Sequence, residues 1–378
     1  MTSLPGHELA EAWRRELADP TGVPLDAAGC AAPSARVLDA TVAHLRREAA
    51  VGGYAAETEA RPTLAALRAA LGALVDLPAE LAAVTANATT AFTTLLGAWP
   101  LRSGARVATL PSEYGSNRMA LEAVAVRRDW TIVDLVADPV GRLDLDRLEN
   151  ELRHGLDLVC FPVVASHRGV VQPAAEAAAV AHAASVPIIL DVAQAAGHVP
   201  LGGVSADAYV GTARKWLRGP RGSGWFATTA AVADVLVPEY PGLTGLGEPG
   251  VARLELGEAA VAAHVGLAVA LDELAAAGPA AVAGRIAALG RAARARLDGL
   301  AGWRVQEPLD EPSGIVTLAH PDEDPMATAR ALLERGIVTS AIPVARAPRD
   351  LSAPRLRISL HAYCRLDDLD ALEFSLRR

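Results

Sequence analysis

The chain has 378 residues, 51% of them hydrophobic and 21% charged, with a formal net charge of −9; this allows two or three domains with buried cores and excludes wholesale disorder. An acidic balance without a basic run argues against nucleic acid or an acidic membrane surface as the main partner. There is no run of eighteen apolar residues, the opening MTSLPGHELAEAWRREL lacks the features of a signal peptide, and the three cysteines (Cys30, Cys160 and Cys364) fit neither a disulfide framework nor zinc-ligand spacing, so a cytoplasmic protein without bound metal is expected.

From about residue 80 to 230, short apolar runs alternate with Ala-rich helical stretches, which predicts β-α-β units and a mainly parallel sheet. Strands are expected at 106–110, 130–135, 156–164, 186–191, 208–211 and 224–227. The runs LDLVCFPVV and VPIILDV start 30 residues apart with AAEAAAVAHAA between them, the length of one crossover unit. Residues 257–300 read as nearly continuous helix, interrupted near Gly278-Pro279. The remainder alternates differently: WRVQEP, GIVTLAH, a helix over 324–335, IVTSAIP, RLRISL and a last helix from Leu366, a compact α+β unit.

Lys215 is the one lysine in a chain whose other 34 basic side chains are arginine. A lysine kept against that bias suits a task guanidinium cannot perform, losing a proton and attacking a carbonyl. Parallel sheets place ligands at the carboxyl ends of their strands. There the sequence puts Asp191, the segment Thr212-Ala213-Arg214-Lys215, and Ser166-His167-Arg168, while Thr89 opens an apolar helix upstream. Singly, Asp191 and Thr89 read as helix caps and Arg214 as the partner of a surface acid. Together they supply what pyridoxal phosphate requires: an amine for its aldehyde, a carboxylate facing its ring nitrogen, and donors for its phosphate at Thr89, Thr212 and Arg214. A dinucleotide site fits worse, because Gly219 to Gly224 has GxxGxG spacing and precedes a strand.

The string DVAQAAGHVPLGGVSADAYVGTARKWLRGPRGSG resembles the core signature of class V, fold type I pyridoxal-phosphate enzymes. Further strings, AVGGY, PSEYG, VVASHRG, ARKWLRGPRG, DEPS and LRIS, are similar to one subgroup, the hercynylcysteine sulfoxide lyases of ergothioneine biosynthesis. The resemblance implies an α/β fold with a large, mainly parallel domain and a small C-terminal α+β domain. The expected division is 1–40 as an N-terminal segment contributing to the small domain and the site, 41–256 as the large cofactor-binding domain, and 257–378 as connecting helix and small domain. It implies a homodimer and a β-elimination that yields ergothioneine through a sulfenate, with pyruvate and ammonia; the alternative is another class V enzyme, an aminotransferase, epimerase or other β-lyase, acting on a different amino acid.

By position, the resemblance makes Lys215 the cofactor-bearing and catalytic lysine and Asp191 the partner of the ring nitrogen. Gln194 and Ser166 match the groups on the phenolic oxygen, Tyr114 the ring stacked on the pyridine, and Ala88, Thr89, Thr212 and Arg214 the phosphate group. Arg357 matches the arginine that grips the substrate carboxylate, with Tyr54 and His167 as candidate substrate contacts. Cys30 either contacts substrate or packs as a small apolar residue. Glu258 stands where relatives commonly have a threonine that reaches the neighbouring subunit's phosphate; a carboxylate there is repulsive, so another group substitutes or Glu258 turns toward substrate. Cysteine desulfurases carry a catalytic cysteine before the RxS segment, and the corresponding stretch here, 336–354, contains none.

Overall fold

The computed structural model describes residues 4–18, 22–243, 245, 247, 248 and 250–378. Its strands, in chain order, are β1 (Val23–Pro24), β2 (Ala82–Thr85), β3 (Arg106–Thr109), β4 (Thr131–Asp134), β5 (Leu158–Pro162), β6 (Ile188–Asp191) and β7 (Ala208–Thr212). They continue with β8 (Gly224–Thr228), β9 (Arg304–Val305), β10 (Ile315–Ala319), β11 (Ile337–Val338), β12 (Ser340–Ile342) and β13 (Arg355–Ser359). Seven form one sheet in the order β2-β8-β7-β6-β5-β3-β4. The pairs from β4 to β7 are parallel, and β8 runs antiparallel to both of its neighbours.

The central strands are continuous apolar runs because both faces of the sheet are covered. Along β5 to β8, Leu158, Cys160, Ile189, Val210 and Phe226 point into one core. Their neighbours Val159, Phe161, Leu190, Tyr209 and Trp225 point into the other. The six expected strands are present with ends shifted by at most two residues. β2 is an addition to them: its sequence AAVT is indistinguishable from the surrounding helix-prone alanines, and it is specified by antiparallel pairing with β8.

The long helical stretch starts later than expected, at Val261. It breaks at Gly278 (φ 80°), and Val261–Ala277 meets Pro279–Leu297 at 83°. Among the described residues no single helix is long and apolar enough to cross a membrane. A second, antiparallel sheet has the order β12-β13-β10-β9. The N-terminal segment joins this end of the molecule: β1 pairs in parallel with β11, and the Ser359 N–H donates to Leu25 O at 2.8 Å. That pairing carries Asp26 and Ala28 to the carboxyl end of the large sheet.

Candidate active site

β3, β5, β6 and β7 run in the same direction, so the residues that follow them gather on one side of the sheet. Asp191 ends β6, Thr212 ends β7 three residues before Lys215, and Ser166 follows β5. β2 leads to Asn87, whose side chain accepts from the Thr90 N–H at 2.9 Å and caps the helix Ala88–Ala98. Gly224 makes this helix start possible, because a Cβ there would collide with the Asn87 backbone.

All nine residues that the resemblance assigns to the cofactor line one cavity, together with Arg346 and Ala28. Part of the Lys215 side chain is open to this cavity, while surrounding protein desolvates the amine. Burial lowers its pKa to about 7; Asp191 opposes that shift, and Arg214, Arg357 and Arg346 add to it. Burial raises Asp191 against the opposing pull of Lys215, the Ala193 N–H at 2.8 Å and Asn117 Nδ2 at 2.9 Å. The hydroxyl of Ser166 is buried without a hydrogen-bond partner among the described residues. Gln194 is held at both ends, accepting from Trp216 Nε1 at 2.7 Å and donating to Ala28 O at 3.0 Å.

Two residues of this network escaped the sequence. Asn117 Nδ2 also donates to Glu113 Oε1 at 3.1 Å, and the buried Glu113 accepts from the Tyr114 N–H at 2.8 Å and Thr109 Oγ1 at 3.3 Å. Burial and the nearby Asp191 raise Glu113 to about 8, with the three donors opposing. The signal for the pair was the i, i+4 spacing of Glu113 and Asn117 in PSEYGSN. A carboxyl held by the fold above its unfolded value of about 4.5 stabilises the protein fully below that value, and the contribution is lost as pH rises through about 8. In cofactor-stripped protein, Glu113→Gln is therefore expected to flatten the loss of stability between pH 4.5 and 8, by up to about 1.4 kcal/mol per pH unit. Denaturant titrations of both proteins across that range check this; parallel stability curves would refute it.

Other expected residues are placed differently. Arg357 is buried, its Nη2 donating to Asp26 Oδ1 at 2.8 Å and its Nη1 to Ser166 O at 2.8 Å, which sets it behind the cavity wall formed by Ser166. Asp26 arrives with the N-terminal segment, and no motif in the sequence marks it. His167 does not face the cavity; its Nε2 donates to Asp350 Oδ2 at 2.6 Å. Tyr54 is 85% exposed on the helix Gly53–Ala73 and is not brought to this cavity within the chain. Cys30 is exposed rather than packed, Cys160 and Cys364 are buried, and burial raises the latter two thiols. Glu258 is exposed in a separate cleft with Thr90, Gly222 and His264.

An amine near neutrality, a buried carboxylate, an unpartnered hydroxyl and a cup of hydroxyl and guanidinium donors fit pyridoxal phosphate by chemistry. Residues 23–372 match the model of the family "Aminotransferase class-V". The chain is 42% identical, over 98% of its length and 93% of the relative's, to a protein of Mycobacterium tuberculosis (strain CDC 1551 / Oshkosh) described as a probable hercynylcysteine sulfoxide lyase. Its fold is that of an apo cysteine desulfurase from Thermococcus onnurineus NA1, with a TM-score of 0.88, 20% identity and 97% coverage of both chains. A variant of C-DES with glycine covalently linked to its PLP cofactor superposes with a TM-score of 0.84 at 21% identity, covering 94% of this chain and 96% of that one. The chain belongs to the class V aminotransferase family, and is an enzyme of fold type I that depends on pyridoxal phosphate.

Proposed function

We propose that the chain is a carbon–sulfur lyase that cleaves hercynylcysteine sulfoxide by β-elimination, releasing a sulfenate, pyruvate and ammonia. The observation that carries this reading is the cavity lining: it presents one near-neutral amine and an array of cations, but no thiol among the described residues. Sulfur transfer through a persulfide needs a cysteine facing the substrate, whereas a sulfoxide departs with its own electron pair. The kinship with the mycobacterial protein supports the same substrate. A cytoplasmic homodimer is the working form that accompanies this reading.

Pyridoxal phosphate, when bound, supplies the electron sink for a carbanion at the substrate's Cα. Thr89, Thr212 and Arg214 would hold its phosphate, Asp191 its ring nitrogen, and Ser166 and Gln194 its phenolic oxygen. Arg357, which Asp26 and Ser166 O hold behind the cavity wall, would exchange the Asp26 carboxylate for the substrate's α-carboxylate and present a planar donor pair to it. The neutral amine of Lys215 takes the Cα proton. The C–S bond then breaks with its electrons going to sulfur, and the three-carbon fragment hydrolyses to pyruvate and ammonia. Conversion of the sulfenate to ergothioneine takes two electrons, supplied as two thiols in solution are oxidised to one disulfide and the oxygen leaves as water.

Incubating the purified enzyme with the sulfoxide and assaying pyruvate tests the assignment. Stoichiometric pyruvate is the expected result. A keto acid retaining the sulfur, or a racemised substrate, would replace it with aminotransfer or epimerisation.

A further inference from the structure

The cavity holds one cation that the steps above leave unused. Arg346 lines it beside Tyr114, with its guanidinium carbon 5.6 Å from the centre of the tyrosine ring. The other arginines around it are committed. Arg357 is bound by Asp26 and Ser166 O, and Arg168 donates to Asp350 and to Val140 O. Arg349 pairs with Asp134 and Glu122. Arg214 also lacks an acid partner among the described residues, but the cofactor's phosphate is the anion already proposed for it. The half-buried Arg346 guanidinium has neither a carboxylate within ion-pair distance nor a hydrogen-bond acceptor among the described residues.

The loop that presents Arg346 is fixed. Asp350 takes His167 Nε2 at 2.6 Å and both Nε and Nη2 of Arg168, at 3.1 and 2.9 Å. Burial works to raise the Asp350 carboxyl, but these partners outweigh it and hold it at about 2, so the clamp stays charged. Arg349 anchors the same loop to β4 through Asp134 at 2.9 Å. Gly115 lets the loop backbone close in, because a Cβ there would meet Ala345 O at 3.0 Å and Arg346 O at 3.1 Å. A fixed loop thus places an uncompensated positive charge in a cavity already lined by Lys215 and Arg214 against Asp191, with the Arg357–Asp26 pair behind its wall. With Arg214 left to the cofactor's phosphate and Arg357 to the α-carboxylate, Arg346 is the cation that remains for a further anion.

We propose that Arg346 receives a second carboxylate of the substrate, on the far side of the sulfur from the reacting carbon, so that the site selects amino acids bearing two carboxylates. This rests on the sulfoxide-lyase reading, whose substrate carries a carboxylate on its trimethylated histidine half. His167 and Arg168 are then positioning residues that act through Asp350.

The test compares the sulfoxide with its analogue in which that distal carboxylate is a carboxamide. Arg346→Gln is expected to lower kcat/KM for the dicarboxylate about 10–100-fold, the size of one charged hydrogen-bond pair, and for the carboxamide less than about threefold. Arg346→Lys should recover part of the loss, and titration of cofactor-stripped Arg346→Gln with pyridoxal phosphate should give unchanged affinity. An equal loss on both substrates would assign Arg346 to the shared reacting half, and a weakened cofactor affinity would assign it to the phosphate; either overturns the inference alone, as would no loss on either substrate. Wild-type enzyme that releases pyruvate from neither compound overturns the lyase reading and this inference with it.

Discussion

Lys215→Ala is expected to lower pyruvate release at least about 10³-fold, within the range lost when a positioned general base is removed. The physical reason lies in the proton on its amine. At the ordinary lysine value of 10.5 only about 0.03% of the side chain would be neutral at pH 7, whereas the buried amine, lowered to about 7, is about half neutral. The fold thus raises the supply of proton-accepting amine by roughly 10³-fold at neutral pH. Lys215→Arg should be nearly as inactive, since guanidinium keeps its proton at every working pH. Because Lys215 is the sole lysine, the alanine variant contains no side-chain amine. Borohydride reduction followed by peptide mass analysis should therefore find the vitamin on the Lys215 peptide of the wild type and on no side chain of the variant. A variant that retains turnover within tenfold of wild type would remove Lys215 from the chemistry.

The same lysine shows what a sequence reveals and what it withholds. Lys215 and Asp191 were legible because one follows and the other ends a strand whose apolar run is buried on both faces, and strand direction then fixes where those polar residues go. The partners that give them their properties were not legible. Asn117 touches Asp191 across 74 residues of chain, Asp26 touches Arg357 across 331, and Asp350 reaches His167 across 183. Contacts of that kind follow from how layers pack, which no local spacing encodes. Tyr54 is the converse case: a recognisable string, AVGGY, lies at the junction of the helices Ala35–Val51 and Gly53–Ala73, where the single chain leaves Tyr54 exposed and does not bring it to the cavity. β2 was hidden because alanine-rich sequence takes its conformation from its neighbour β8 rather than from its own propensity.

Asp191→Asn should separate charge from shape. Asparagine occupies the same space and can still accept from the Ala193 N–H, which now reaches Asp191 Oδ1 at 2.8 Å. It carries no negative charge, however, and its amide hydrogens would face those of Asn117, which at present donates to Oδ2 at 2.9 Å. On the proposed reading a carboxylate at 191 would hold a proton on the cofactor's pyridine nitrogen, and an amide could not. Turnover is expected to fall about 10²–10⁴-fold, corresponding to the loss of about 3–5 kcal/mol of stabilisation as charge develops at the substrate's Cα. Cofactor affinity should change much less, because the residues proposed to hold the phosphate, Thr89, Thr212 and Arg214, are untouched. Glu113→Gln provides the matched comparison. The carboxyl there, raised to about 8, is mostly protonated and uncharged at neutral pH, so its replacement should reduce turnover less than about tenfold, the new amide oxygen still accepting from Asn117 Nδ2. Steady-state pyruvate assays on the two variants, with cofactor occupancy measured by absorbance, decide the matter. Equal losses in both would mean that the network works by packing alone and that the charge on Asp191 contributes nothing.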